Sequence, residues 1–170
     1  MNFENKLIPG LFVKRYKRFF VDVKLKDKIV TAHCPNTGSM SGLLNKNNKV
    51  WITKSLNLKR KLKFTLQIIE DKNSKVGVNT HLTNKIVFDA LKKNLIKNFN
   101  KNVKIAREKV FGTNTRFDFF LKDKNNKSFL EVKNVTLKRR NGIAEFPDSI
   151  TTRGTKHLNE LINATKKGFN

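Results

Sequence analysis

Short segments with a strand-like pattern of apolar and polar positions fill the first half of the chain. Residues 15–24 alternate in their second half, where Val21 and Val23 are separated by the polar side chain of Asp22. A period of two is typical of a strand with one buried face. Further apolar segments predict strands at residues 28–33, 49–53, 63–70 and 75–79. Turn residues separate them at 35–38, 45–48 and 71–74, and this spacing predicts a small barrel or sandwich.

The pattern changes near residue 83. Apolar residues recur there at intervals of three and four, which predicts a helix over 83–97 that begins with Thr83 or Asn84 as cap: Ile86, Val87, Ala90, Leu91 and Leu95. Strands follow at 103–110, 116–121 and 128–133, and the polar turn 122–127 makes the last two a hairpin. Leu158, Leu161, Ile162 and Thr165 predict a final helix over 152–167, with Gly168 as its C-terminal cap.

These elements predict a mixed α/β chain with two domains. Residues 1–82 would form a β-barrel, and residues 83–170 an α-β-β-β-loop-α domain. The second domain ends on a helix with no strand after it, although an α/β unit normally returns to its sheet.

Charge is the strongest feature of the composition. The chain has 37 Lys and Arg residues against 13 Asp and Glu, a formal net charge of +24. Such a surplus favours a polyanionic partner, because each phosphate contact releases condensed counterions. An A+T-rich genome, which favours Lys codons, would raise the charge without any binding role. No apolar run predicts a membrane span or a signal peptide, and a single Cys fits a reducing cytoplasm.

The predicted hairpin carries the candidate chemistry. If it is symmetric about its turn, residues whose numbers sum to 249 face each other, so Asp118 is opposite Glu131 and Phe119 is opposite Leu130. Lys133 then shares the face of the two carboxylates. Mg²⁺ or Mn²⁺ held by Asp118 and Glu131, with Lys133 assisting, would form a phosphodiester-cleaving site. The alternative is a set of cross-strand salt bridges with Arg116 and Lys133.

Basic residues interleaved with aromatics indicate nucleic-acid contacts. Arg15, Tyr16, Lys17 and Arg18 precede Phe19 in this way, and a barrel surface of this kind binds by base stacking and phosphate contact. Basic loops at 57–61 and 138–142 and the start of the last helix add Lys59, Arg60, Lys61, Arg139, Arg153 and Lys156. For each group the alternative is a solvated basic surface with ordinary packing.

Two features near residue 35 remain open. The loop 35–40 could donate hydrogen bonds to phosphate, or it could be a tight turn that closes the barrel. His33 and Cys34 are neighbours on a predicted strand, so their side chains point to opposite faces, which argues against a metal-ligand pair.

Several of these segments occur in an order that resembles the sugar fermentation stimulation protein family. The resemblance covers about residues 15–168 and rests on these motifs: Arg15-Tyr16-Lys17-Arg18-Phe19, His33-Cys34-Pro35-Asn36-Thr37-Gly38-Ser39-Met40, Asn57-Leu58-Lys59-Arg60-Lys61-Leu62, Val76-Gly77-Val78-Asn79-Thr80, Arg116-Phe117-Asp118-Phe119, Glu131-Val132-Lys133-Asn134-Val135-Thr136-Leu137, Phe146-Pro147-Asp148 and Arg153-Gly154-Thr155-Lys156-His157-Leu158.

The resemblance implies an N-terminal OB-fold-like β-barrel, a C-terminal domain like the PD-(D/E)XK nucleases, and DNA binding. In that nuclease pattern the two acids match Asp118 and Glu131, and the lysine matches Lys133. An upstream helical acid matches Asp89, with Glu108 as a weaker candidate. Family members continue beyond the point that corresponds to residue 170, so the resemblance implies either a fragment or a shortened gene product. We therefore expect the second domain to be incomplete at its C-terminal end, with an open sheet edge.

The sequence thus predicts a cytoplasmic protein that binds nucleic acid, DNA above all, with cleavage by Mg²⁺ or Mn²⁺ as a hypothesis. Proteins on nuclease-like scaffolds can bind without cutting, so a non-catalytic DNA-binding regulator of sugar metabolism genes is the alternative. RNA binding is a third possibility.

Overall fold

A computed structural model describes residues 3–99, 102–112, 115–140, 142–146 and 151–170 of the chain. These residues form two compact units. The first contains the described residues of Met1–Thr83 and Asn134–Asp148, and the second those of Asn84–Lys133 and Ser149–Asn170. The segment after residue 133 therefore returns to the first unit, whereas the sequence pattern assigned everything after residue 82 to the second.

The first unit is a closed β-barrel with one added strand. Six strands pair in the order β3-β2-β1-β4-β5-β6, and a parallel contact between β3 and β5 closes the sheet on itself. The strands are β1 (Leu7–Tyr16), β2 (Phe20–Lys24), β3 (Ile29–His33), β4 (Lys49–Lys54), β5 (Phe64–Asp71) and β6 (Ser74–Gly77). The prediction of an N-terminal barrel is confirmed, and the strand β1 was missed because its first half lacks alternation.

Alternation along β1 to β3 divides core from surface. Phe12, Val21, Val23 and Ala32 point into the barrel, where each is at most 3% exposed. Tyr16, Phe20 and His33 belong to the opposite face, since Tyr16 pairs with Phe20 and Phe20 pairs with His33 in the strand registers. The inner residues build one apolar core, and the outer ones form a row across three strands.

A tight turn interrupts the single strand predicted for residues 15–24. Lys17 and Arg18 both adopt positive φ, 47° and 59°, and the chain reverses between β1 and β2. Turns of this kind usually contain Asn or Gly, which adopt left-handed backbone angles at low cost. Lys and Arg gave no such signal, so this part of the prediction was wrong.

The second unit is a three-stranded sheet with helices. Its strands are β7 (Lys104–Phe111), β8 (Thr115–Lys122) and β9 (Lys127–Leu130), in the order β7-β8-β9. Phe119 and Leu121 pack with Val87 and Leu91 of α1 (Thr83–Lys92). A second cluster, rich in Phe, packs against α2 (Thr152–Lys166) and includes Phe111, Phe117, Phe120, Phe129, Leu161, Ala164 and Phe169. The C-terminal α/β unit is thereby confirmed.

Both helices end in a left-handed residue that caps the last turn. Asn94 has a φ of 53°, and the amides of Asn94 and Leu95 donate to the carbonyls of Leu91 and Ala90. This cap ends α1 at Lys92, five residues before the predicted end. Gly168, with a φ of 79°, caps α2 as predicted.

The hairpin β8–β9 has the predicted register and a shorter second strand. Phe119 pairs with Leu130 and Phe120 with Phe129, in agreement with a sum of 249. However, β9 ends at Leu130 instead of residue 133. The backbone of Asn170 pairs with Lys127 and Phe129, so the edge that we expected to be open is partly covered by the chain's last residue.

Candidate functional site

Asp118 lies where the two strands of the hairpin separate. Its Oδ2 accepts a hydrogen bond of 2.8 Å from the backbone N–H of Val132, and its Oδ1 accepts one of 2.7 Å from the side-chain amide of Asn84. The carboxylate thus takes the place of a strand partner for Val132, which explains why β9 ends early. Both bonds fix the orientation of the carboxylate, and they bring Asp118 next to the residue that follows Glu131.

One carboxylate oxygen of Glu131 contacts two side-chain nitrogens. Its Oε1 is 2.8 Å from the Nζ of Lys133 and 2.9 Å from the Nδ1 of His157 in α2. The Glu131 side chain is 12% exposed and that of Lys133 is 47% exposed. His157 belongs to this site although the sequence pattern gave it no role here. The signal available was its position one helical turn after Arg153, at the start of a helix.

The ion pairs of the hairpin bear on the choice between a metal site and cross-strand salt bridges. Lys133 forms a salt bridge with Glu131, but the two residues are neighbours on the same segment, so this is not one of the cross-strand pairs of the alternative. In the described part of the chain no ion pair joins Asp118 to Arg116, whose side chain is exposed. Asp118 is therefore a half-buried carboxylate held by neutral donors, and this is the feature that a simple cross-strand salt bridge does not explain.

The third acid of the predicted site is not brought into a cluster. Asp89 lies half-buried on α1, and the α1 side chain that contacts Asp118 is Asn84. Glu108 lies between the pairs Arg107–Phe119 and Lys109–Phe117 of β7 and β8, which places it across from Asp118. Its backbone is left-handed, with a φ of 54°, so the regular strand is interrupted at this position. Among the described residues, no three His, Cys, Asp or Glu side chains are grouped to hold a metal ion.

Asp118 and Glu131 nevertheless suit a hard divalent cation. Carboxylate oxygens are the ligands that Mg²⁺ prefers, and Mg²⁺ is commonly bound by one or two carboxylates with water and phosphate oxygens as the other ligands. Within the described ranges, Oε2 of Glu131 has no hydrogen-bond donor, and each Asp118 oxygen accepts one bond. The donor set fits such an ion with two protein carboxylates.

Arg15 is tied into the barrel through its guanidinium, and its phosphate contact stays a prediction. Its guanidinium donates to the backbone carbonyls of Asn36 (2.6 Å), Gly38 (2.8 Å) and Ser39 (3.3 Å), and its Nε donates to Arg18 (3.0 Å). The amide of Gly38 is in turn bound by the side chain of Asn36. The loop 35–40 is therefore tied to β1, which favours its reading as a turn that closes the barrel.

The other basic candidates of the first unit differ in their surroundings. Lys17, Arg18, Lys59 and Lys61 are exposed, and Arg60 is half-buried. Tyr16 stacks on Phe20 with ring centroids 5.4 Å apart. These residues lie in the β1–β2 turn and the β4–β5 loop, the two loops that OB barrels use for oligonucleotides.

Arg139 is paired within its own segment. It makes a bidentate salt bridge with Glu145, with a shortest distance of 2.8 Å, which raises the pKa of Arg139 and lowers the pKa of Glu145. Its guanidinium is thus engaged by a carboxylate of its own segment, and its phosphate contact stays a prediction. Asn141 of the same basic loop, and Pro147 and Asp148 of the motif noted above, lie outside the described residues. Arg153 and Lys156 are exposed on the first turns of α2.

His33, the last residue of β3, and Cys34, which follows it, differ in burial as expected for side chains on opposite faces. Cys34 is fully buried beside the Sδ of Met40, and burial raises the pKa of its thiol, which makes it a poor nucleophile at neutral pH. His33 lies on the outer face of the barrel. No helix in the described part of the chain combines the length and the apolar character needed to cross a lipid bilayer.

Comparison with known proteins identifies the family. Residues 13–78 match the SfsA N-terminal OB domain, and residues 81–170 match the sugar fermentation stimulation protein RE domain. The chain belongs to the sugar fermentation stimulation protein family. The resemblance read from the sequence motifs is thereby confirmed, with the OB barrel first and the α/β unit second.

Relatives in this family extend beyond the matched region. A sugar fermentation stimulation protein homologue from Pelagibacter ubique is 56% identical over 169 residues, which are 99% of this chain and 73% of that protein. A homologue from Bartonella tribocorum is 44% identical and is covered over 71% of its length. The solved structure of Pyrococcus furiosus SfsA in complex with Ca²⁺ is 26% identical, with a TM-score of 0.84 over 100% of this chain and 71% of that one.

Proposed function

We propose that this chain binds DNA through its phosphates and cuts phosphodiester bonds with Mg²⁺ or Mn²⁺ held by Asp118 and Glu131. The observation that carries the proposal is the arrangement at the end of the hairpin. Asp118 accepts the amide N–H that follows Glu131, and Lys133 lies 2.8 Å from Glu131. Two oriented carboxylates beside an exposed lysine are a suitable arrangement for a cation and a phosphate group.

The side chains of the site would have distinct roles. Asn84 and the Val132 amide hold Asp118 in place, and His157 holds Glu131. Lys133 is half-exposed and can donate to a phosphate oxygen. A divalent cation, when bound, would supply Lewis-acid stabilisation of the negative charge that builds up on the phosphate. The Ca²⁺ in the Pyrococcus furiosus relative supports a divalent cation in this family.

Overall charge supports a nucleic-acid partner. A formal charge of +24 on 170 residues attracts a phosphate backbone, and the affinity should fall steeply as salt rises. The exposed basic residues at the β1–β2 turn, in the β4–β5 loop and on α2 are the candidates for phosphate contact: Lys17, Arg18, Lys59, Lys61, Arg153 and Lys156. RNA offers the same phosphates, so the cleavage assay and the oligonucleotide-binding assay compare it with DNA.

A non-catalytic DNA-binding regulator is the second candidate. The observation in its favour is that, in the ranges the structure describes, no three His, Cys, Asp or Glu side chains are arranged to hold a metal ion, and His157 contacts only Glu131 of the two carboxylates. A site with two carboxylates can bind an ion for structural reasons alone. The two candidates make the same prediction for DNA binding and differ in cleavage.

Cleavage of labelled DNA and RNA with Mn²⁺ distinguishes them. The native chain is compared with Glu131→Gln, which keeps the shape of the side chain and removes its charge, and with Glu70→Gln, a Glu of the barrel that pairs with Lys49. Metal-dependent cutting that is lost in Glu131→Gln and kept in Glu70→Gln supports the nuclease. Salt-sensitive binding without cutting in all three folded proteins supports the regulator. Undetectable binding contradicts both.

A further inference from the structure

Five rings lie on the outside of the barrel in two groups that adjoin where Phe20 pairs with His33, and they are here called the aromatic row: Tyr16, Phe19, Phe20, His33 and His81. Tyr16 and Phe20 are stacked with an interplanar angle of 12°. Phe19 is stacked on His33 with centroids 6.4 Å apart, and His81 is tilted against His33 at the same distance. The row thus crosses β1, β2 and β3 and reaches the 3₁₀ turn Thr80–Leu82.

The aromatic row is accessible to solvent. Phe19 is 44% exposed and Tyr16 36% exposed, although the barrel has a well-packed core on the other face of the same strands. The turn of Lys17 and Arg18, with two left-handed residues, turns Phe19 outward. An exposed aromatic group on a rigid sheet is suited to stacking against another flat ring.

Positive charge flanks the aromatic row. Lys17 and Arg18 precede Phe19 in the turn, and Arg60 of the β4–β5 loop acts electrostatically on His33. Burial, then Arg60 and His81, lower the pKa of His33, so its ring is neutral at pH 7. The carboxylate on this face, Asp22, is bound by Thr31 at 2.8 Å and by Tyr16 at 3.3 Å.

We propose that the aromatic row is a stacking site for the unpaired bases of single-stranded nucleic acid, with Lys17, Arg18 and Arg60 on the phosphates. Every base has a flat face that stacks on an aromatic ring, and the flanking cations follow the backbone. In a duplex the base faces are stacked on one another, so the site selects single strands. The inference rests on the proposed function for its class of ligand and adds a second, non-catalytic site in the barrel.

The test measures fluorescence anisotropy of labelled oligonucleotides in EDTA, so that cleavage plays no part. Four ligands of equal length are compared: single-stranded DNA, the same strand with abasic sites throughout, its duplex, and RNA of the same sequence. Phe19→Ala should weaken binding of the single strand roughly 5- to 100-fold and leave the abasic strand unchanged. Phe3→Ala, which removes another exposed phenylalanine of the same unit, is the matched control.

Phe19→Trp gives an independent readout if Phe19→Ala is poorly folded. It should bind the single strand at least as well as the native chain, and its fluorescence should be quenched by that strand and not by the abasic one. Equal affinity of the native chain for normal and abasic strands would overturn the stacking site while leaving phosphate binding intact. Undetectable binding of the native chain to all four ligands would overturn both the stacking site and the proposed phosphate binding. The DNA and RNA arms show which strand the site prefers.

Discussion

Asn84 donates a hydrogen bond of 2.7 Å from its side-chain amide to Oδ1 of Asp118, across 34 residues of sequence. The bond links the first turn of α1 to the strand that carries the candidate metal ligand. Since the other oxygen of Asp118 is fixed by the Val132 amide, Asn84 determines the direction of the remaining lone pairs. Residues that orient a metal ligand in this way commonly matter almost as much as the ligand.

Replacing Asn84 should therefore weaken metal binding. We expect Asn84→Ala to lower the affinity for Mn²⁺ by about 10- to 100-fold, the usual effect of losing an outer-shell partner. Titration calorimetry measures the affinity. Asn134→Ala, which removes an exposed amide contact in the barrel unit, should leave it unchanged. Native affinity in a folded Asn84→Ala protein would show that Asn84 does not orient the ligand.

His157 should act on Glu131 and not on DNA directly. In His157→Ala, Glu131 loses the contact at 2.9 Å, so we expect the Mn²⁺ concentration needed for half-maximal cleavage to rise about ten-fold. DNA affinity in EDTA should stay the same. Leu158→Ala, the next position on α2 and 64% exposed, is the control. A parallel loss of DNA affinity in EDTA would instead place His157 in the DNA contact.

Arg15 should contribute to the stability of the barrel. Its guanidinium donates to four backbone carbonyls, so Arg15→Ala leaves acceptors unpaired and should lower the free energy of unfolding by roughly 1–3 kcal/mol. Urea unfolding can be followed by Trp51, the one tryptophan of the sequence, which lies in the barrel. Lys17→Ala should have little effect on stability. Equal stability of both variants would contradict the structural role of Arg15.

Protonation of His33 should destabilise the barrel. Its pKa in the folded chain is lowered from 6.5 by burial, Arg60 and His81, so below that pH the unfolded chain binds the proton more readily than the folded one. The stabilising effect of neutral His33 is complete above pH 6.5 and is lost as pH falls through the lowered pKa. In His33→Gln, the decrease in unfolding free energy from about pH 7 to about pH 5 should be smaller. Equal decreases in the native chain and in His33→Gln would contradict a role of His33 in the pH dependence of stability.

The register of the hairpin and the end of α2 could be predicted from patterns within a few neighbouring residues. The period of two and the polar turn placed Phe119 and Leu130 opposite each other, which is the register that the structure has. The helical period and Gly168 located the end of α2. Such signals are contained within a few neighbouring residues, so the sequence displays them directly.

Features that depend on tertiary contacts could not be read in the same way. The pairing of His157 with Glu131 requires α2 to lie against the sheet, and nothing in the spacing of 26 residues indicates it. Arg15 looked like a surface cation because the carbonyls that it binds carry no sequence signal. Asn84 was considered only as a helix cap, and the left-handed turn at Lys17 lacks the Gly or Asn that would mark it.

The function proposed for this chain depends on one divalent-metal site formed by Asp118 and Glu131. The most direct test is calorimetric titration of Mn²⁺ into the native chain, Asp118→Asn and Glu131→Gln, each shown to be folded by circular dichroism. We predict one site in the native chain that is lost in both variants. Equal Mn²⁺ binding in all three proteins, or no binding in the native chain, would contradict the metal site and the cleavage that depends on it.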